Sequence, residues 1–152
     1  MTRFVPDTNC MIAAVCTWHE HHEWATEEIE RRLERGETLC VAAHTLVEAY
    51  AVLTRLPPPD RLSPADALAL IEANFIELRQ IITLEARSYR TVLRRVRDAG
   101  IHGGRTYDAI IAACALKARA TALLTFNKAH FLPFEERGLT IVVPSEGGMS
   151  LA

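Results

Sequence analysis

FVPDTNCMIAA, residues 4–14, runs from apolar residues into Asp7, Thr8 and Asn9 and then straight back into an apolar stretch. The part before Asp7 reads as a strand near 3–6 and the part after it as a helix near 9–16, so the polar triplet sits at a strand-to-helix junction. In an open α/β fold such a junction lies on the edge of the sheet where ligands collect. The same alternation continues along the chain. Strands are expected near 38–42, 80–84, 121–125 and 139–143, and helices near 21–35, 45–56, 64–78, 85–99 and 106–119. Ile29 and Leu33, or Tyr89, Leu93 and Val96, recur at helical spacing. This order predicts a parallel sheet of about five strands covered by helices, an α/β architecture.

The stretch LPPPDRLSP, residues 56–64, reads as a stiff connection between two helices, with Ser63 as N-cap and Pro64 in the first turn of the second. A single domain over residues 1–152 is expected, with a mobile tail from about 144. The formal net charge of −2 gives no bulk attraction for nucleic acid, so any basic surface must be local. Cys10, Cys16, Cys40 and Cys114 lie in apolar segments without a CxxC pair, which points to reduced core thiols and a cytoplasmic location. The N-terminus lacks the long apolar stretch of a signal peptide, and the longest apolar run, 109–116, is too short to cross a membrane.

Two further acids occupy places equivalent to that of Asp7. Glu48, in HTLVEAY, is expected in the first turn of the helix after the second strand, and Asp108, in GGRTYDAIIAACAL, in the first turn of another helix. Each has a purely structural reading. Thr45 and Glu48 have capping-box spacing, Thr106 can cap the helix that carries Asp108, and Asp7 or Thr8 can cap the first helix. Parallel strands, however, align their carboxyl ends, so three acids placed just beyond them can converge on one crevice. Two carboxylates about 4 Å apart repel by roughly 4 kcal/mol at an effective dielectric of 20, so the cluster needs protons or a cation. Oxygen-only ligands suit Mg²⁺ or Mn²⁺.

These residues, in this order and spacing, resemble the PIN-domain ribonucleases, and within them the VapC toxins of bacterial toxin–antitoxin pairs. The likeness runs from VPDTN through TLVEAYAVLTRLP and GGRTYDAIIAACAL to ALLTFNKAHF and spans nearly the whole chain. It implies a central parallel sheet with helices on both faces and a Mg²⁺- or Mn²⁺-dependent endoribonuclease, with Asp7, Glu48 and Asp108 as the acidic set. Asp7 and Asp108 are then direct metal ligands, and Glu48 is a ligand or the base that orients the attacking water. Asn127 stands where many members carry a fourth acid, which leaves one or two metals open. Thr8, Asn9, Thr125 and His130 are supporting polar groups. The likeness also implies a homodimer and a cognate VapB-like antitoxin that blocks the acidic cleft.

RNA must be held against an acidic site, and His102 and Arg105, in the Gly-rich loop before Asp108, are the candidate contacts. Arg87, Arg90, Arg94 and Arg97 form either a basic ridge or a solvated helix face beside the Tyr89, Leu93 and Val96 stripe. HEHH, with His19, His21 and His22, lacks spaced partner ligands and reads as an exposed polar turn rather than a zinc site. A dinucleotide-binding domain would need a glycine fingerprint that the sequence lacks, and a receiver domain a paired acid beside Asp7. The alternative left standing is a non-catalytic PIN-like module that binds RNA or protein.

Overall fold

Phe4 and Val5 are adjacent and both fully buried, yet they belong to different hydrophobic clusters. Successive strand residues point to opposite faces, so a strand buried on both sides must be apolar at every position. The pattern repeats in the neighbours: Leu39 and Val41 face one cluster and Cys40 the other, while Leu123 and Leu124 divide in the same way. In the computed structural model, which describes residues 1–136 and 138–145, these runs form β1 (Arg3–Pro6), β2 (Thr38–Ala42), β3 (Gln80–Ile82), β4 (Ala122–Leu124) and β5 (Thr140–Val142). All pairings are parallel, in the order β3-β2-β1-β4-β5, with Phe4 in register with both Leu39 and Ala122.

One face is covered by α1 (Thr8–Val15), α2 (His22–Glu34), α3 (Ala43–Arg55) and α4 (Pro64–Ile71), which bury Met11, Ile29, Leu53 and Ile71 against Phe4 and Leu39. The other face carries α5 (Ala86–Asp98), α6 (Arg105–Lys117) and α7 (Lys128–Phe131), which bury Val92, Val96, Ile111 and Phe131 against Val5 and Leu123. The first helix is apolar on nearly all sides because it is walled in, with Cys10, Met11 and Ala13 fully buried. The connection 56–64 behaves as expected: Leu62 N–H donates to Leu53 O at 3.0 Å, and Ser63 Oγ accepts from Asp66 N–H at 3.1 Å with Pro64 opening α4.

Several elements depart from the sequence reading. The helix expected over 64–78 is α-helical only to Ile71 and then widens into a π-helical turn over Glu72–Ile76. On α5 the buried stripe is Val92 and Val96, whereas Tyr89 and Leu93 are exposed at 45% and 56%. The four-residue α7 and the 3-10 turn Leu132–Phe134 were not expected, being too short to show a period. They bury Phe131 and Phe134 all the same. Pro144 is buried, and the rest of the expected mobile tail, from Glu146, lies outside the described residues. All four cysteines are free and buried. No helix among the described residues is long and apolar enough to cross a membrane.

A buried ion network ties α2 to the sheet at the end opposite Asp7. Glu28, only 2% exposed, accepts from Arg31 at 3.3 Å and Arg32 at 3.2 Å; Arg32 also donates to Glu37 at 3.0 Å and lies 5.7 Å above the Phe4 ring. Removing Glu28 leaves the largely covered Arg32 guanidinium short of a counter-charge. Glu28→Ala is therefore expected to lower the stability to urea by about 3 kcal/mol. A loss below about 1 kcal/mol would mean that the network behaves like an exposed ion pair.

Candidate active site

The strand order makes the chain change direction between β1 and β4, and an open parallel sheet leaves a crevice beyond the carboxyl ends of such a pair. Asp7 follows β1 and Thr125 follows β4, so both line that crevice. The Asp7 N–H donates to Leu124 O at 2.9 Å, extending the ladder by one step, and Thr125 N–H donates to Val142 O at 2.9 Å. The side chain of Asp7 is buried. Its Oδ1 accepts from Cys10 N–H at 2.8 Å, which makes it the N-cap of α1, and its Oδ2 accepts from Thr125 Oγ1 at 2.6 Å. Because the Thr125 hydroxyl itself accepts from Asn127 N–H at 2.9 Å, its hydrogen is committed to Asp7.

Burial is the main reason that the Asp7 carboxyl is raised from 3.8 to about 7; the bonds from Thr125 and Cys10 oppose the rise, and the charges of Asp108 and Glu48 add to it. Asp108 stands in the first turn of α6, which follows a turn at Gly103, where a φ of +63° favours glycine. Its carboxyl is also raised, chiefly by burial. His130 and Arg105 oppose that shift, Glu48 adds to it, and His130 Nδ1 lies 3.3 Å from Asp108 Oδ2.

Glu48 arrives differently from its expected place. The third helix starts at Ala43, directly off β2, so Glu48 falls in the second turn and the Thr45–Glu48 capping box does not form. Thr45 is fully buried and donates to Ala42 O at 2.7 Å instead. Thr106 does not cap α6 either, because that helix begins one residue before it. Glu48 Oε1 lies 2.6 Å from His44 Nε2, but the two are not aligned as a hydrogen bond, and both atoms are shut off from water without another bond. The His44 ring stacks on Tyr107 at 5.1 Å and 24°. Sequence reasoning passed over both residues, although His44 sits four positions before Glu48 and Tyr107 directly before Asp108.

Asp7, Glu48 and Asp108 thus act on one another electrostatically, with Thr125, His130 and Arg105 around them. The three acids offer oxygen donors only, and Glu48 Oε1 and Thr8 Oγ1 are buried without a hydrogen bond, so the residues suit a hard divalent cation. As they stand, no three His, Cys, Asp or Glu side chains among the described residues are grouped to hold one. Asn127 is exposed and reaches the site through its backbone bond to Thr125. Asn9 and His102 are exposed, and neither is hydrogen-bonded to an acid of the cluster. Arg87, Arg90, Arg94 and Arg97 lie on the exposed side of α5. HEHH is not a freely exposed turn: His21 stacks with Trp24 at 5.4 Å and with Phe126 at 4.3 Å.

The PIN domain family model matches residues 4–133. The chain is 42% identical over 120 residues to Ribonuclease VapC40 of Mycobacterium tuberculosis, covering 79% of this chain and 83% of that protein. It is 34% identical over 136 residues to Ribonuclease VapC27 of the same organism, covering 90% and 85%. Its fold matches a chain of VapBC2 from Rickettsia felis, solved bound to a DNA fragment from their promoter, with a TM-score of 0.67 at 18% identity over 95% of this chain and 100% of the other.

A carboxyl raised in the folded state holds its proton more tightly folded than unfolded, so stability is lost as pH climbs from the unfolded value near 4 through about 7. In chelator, Asp7→Asn should escape that loss. Urea unfolding across this window is expected to show the variant gaining on wild type by on the order of 4 kcal/mol between pH 4 and pH 8. A constant difference would show that Asp7 does not titrate there.

Proposed function

This chain belongs to the PIN-domain family, among its VapC ribonucleases, and from that premise we propose that it is an endoribonuclease that hydrolyses RNA phosphodiester bonds as the toxin of a toxin–antitoxin pair. The observation that carries the reading is the meeting of Asp7, Glu48 and Asp108 at the sheet's switch point, where each of the two aspartates is raised by burial and by the charge of its neighbours. A domain gains nothing in stability from such an arrangement; a site for a cation does.

PIN-domain ribonucleases are generally divalent-metal dependent, and the ion proposed here is Mg²⁺, with Mn²⁺ as a substitute. Asp7 and Asp108 hold it, with Glu48 as a third ligand or as the base that orients water. When bound, such an ion supplies Lewis acidity, making water more acidic and offsetting charge that develops on the phosphate. The remaining work belongs to the chain. Thr125 and Cys10 each occupy one lone pair of Asp7, fixing the plane of the carboxylate and leaving one position on each oxygen. To hold a cation Asp7 would have to be ionised, and a carboxyl near 7 loses its proton at little cost at neutral pH. His130 holds Asp108 from the outer side, and Arg105 brings positive charge to the approach of a phosphate. Thr8, with its buried unpartnered hydroxyl, and the exposed Asn9 and His102 are further polar groups of the site.

In the same reading the toxin is a cytoplasmic homodimer silenced by a VapB-like antitoxin. An apolar groove between α3 and α4 supports a protein partner: Leu46, Val47, Tyr50, Leu68, Ile71 and Ile76 line it, and Val47 is 70% exposed. The competing reading, a PIN-like module that binds without cutting, draws on Asn127 and on the absence of a closed metal-holding group among the described residues.

Total RNA incubated with purified protein and Mg²⁺ or Mn²⁺ should be cut at discrete positions. Chelator should stop cleavage, and Asp7→Asn and Asp108→Asn should be folded by circular dichroism but inactive. No cleavage with either metal favours the binding module, and cleavage that survives in Asp7→Asn removes Asp7 from the mechanism. Thr125→Val is expected to cost roughly 10- to 100-fold in activity by freeing the Asp7 carboxylate. For Asn127, a neutral ligand predicts one tight Mn²⁺ site by calorimetric titration and a gain in affinity in Asn127→Asp. Two equally tight sites in wild type would mean that Asn127 is not the weak member.

A further inference from the structure

Tyr107 immediately precedes Asp108 in the first turn of α6, yet 52% of it is exposed to solvent. A large aromatic side chain beside a largely covered acidic cluster is an odd group to leave in water. One face of the ring is supported: His44 stacks on it at 5.1 Å and 24°, and His44 in turn sits 2.6 Å from Glu48. The pair therefore spans the rim of the cluster, anchored at one end to Glu48 on α3 and at the other to the residue before Asp108 on α6. The second stack beside the site is of a different kind. There His21 stacks with both Trp24 and Phe126, and Phe126 packs on the core, so that ring already has two aromatic partners.

An aromatic ring backed on one side and open on the other is a surface on which a flat π-system stacks, and every nucleobase offers one. A base inside a duplex has both faces covered by its neighbours, so only an unpaired base can use such a surface. We propose that Tyr107, backed by His44, is a stacking subsite for one unpaired base of the RNA substrate, next to the phosphate that the acidic cluster attacks. The subsite rests on the reading of that cluster as an RNA-cleaving centre and adds to it a contact that selects for an extruded or single-stranded nucleotide. Arg105, two residues earlier and exposed, brings a cation to the same edge. Because stacking reads surface area rather than a hydrogen-bonding edge, purines are preferred to pyrimidines at this position.

The test uses protein carrying Asp7→Asn, which binds without cutting, and short unstructured oligoribonucleotides with one 2-aminopurine moved along the strand. At one position the fluorophore should be quenched on binding. Adding Tyr107→Ala should abolish that quench and weaken binding roughly 5- to 150-fold, whereas Tyr107→Phe should leave both nearly unchanged. Replacing the responsive nucleotide by an abasic one should cost the Tyr107 protein a similar factor and the Tyr107→Ala protein nothing more. If RNA binds equally well and stays quenched with Tyr107→Ala, the subsite is refuted while the nuclease reading stands. If Tyr107→Ala leaves RNA binding alone but changes the sedimentation of the protein, the ring is a protein contact and the subsite is likewise refuted. If the Asp7→Asn protein binds no RNA and wild type cuts none, both readings fall together.

Discussion

A carboxylate buried at the end of the central strand is the constraint around which this fold is arranged. Asp7 is held by its own N–H on β4, by the first turn of α1 through Cys10 and by the hydroxyl of Thr125. Those three bonds join β1, α1 and β4 at one point. The bonds from Cys10 and Thr125 supply the hydrogens that a buried acid needs, because an unpaired carboxylate out of water costs far more than its bonds return. Even so, the acid is not made comfortable. Two hydrogen bonds leave half of its acceptor capacity free, and the neighbouring Asp108 and Glu48 disfavour its charge.

The structural and the functional accounts of Asp7 are therefore the same account. As an N-cap it starts α1, and as a raised carboxyl it awaits a positive partner. A cap alone would work better at the surface, where its charge is solvated, so the depth at which it sits is what a cap does not explain. Glu48 makes the complementary point. It has no capping role at all, since α3 begins with β2 feeding directly into it, and its carboxylate is turned toward His44 in the cleft rather than toward the helix end.

The sheet makes this convergence cheap. With the order β3-β2-β1-β4-β5, the first and fourth strands are neighbours although more than a hundred residues separate Asp7 from Thr125. Helices on opposite faces then reach the same edge, α3 from one cluster and α6 from the other. Aromatic and histidine side chains fill the rim between them, and some of that rim is left open to water.

Much of this was legible in the sequence, for reasons that are local. Five apolar runs bounded by polar residues announce strands, the inner three buried on both faces, and VPDTN, the acid in TLVEAY and the acid in GGRTYD each lie just past such a run or at the next helix start. Position along the chain was enough to nominate Asp7, Glu48 and Asp108. What the sequence could not supply was distance and direction. The starting residue of α3 depends on how β2 is terminated by its neighbours, so the turn that carries Glu48 was misjudged. The stripe on α5 shifted from Tyr89 and Leu93 to Val92 because the packing partner, not the period, selects which face is buried. The bond from Thr125 to Asp7, the approach of Glu48 and Asp108 to Asp7 and the stack of His44 on Tyr107 join residues from different elements. Only the folded chain brings them together, because no periodicity in a sequence records which strand lies beside which.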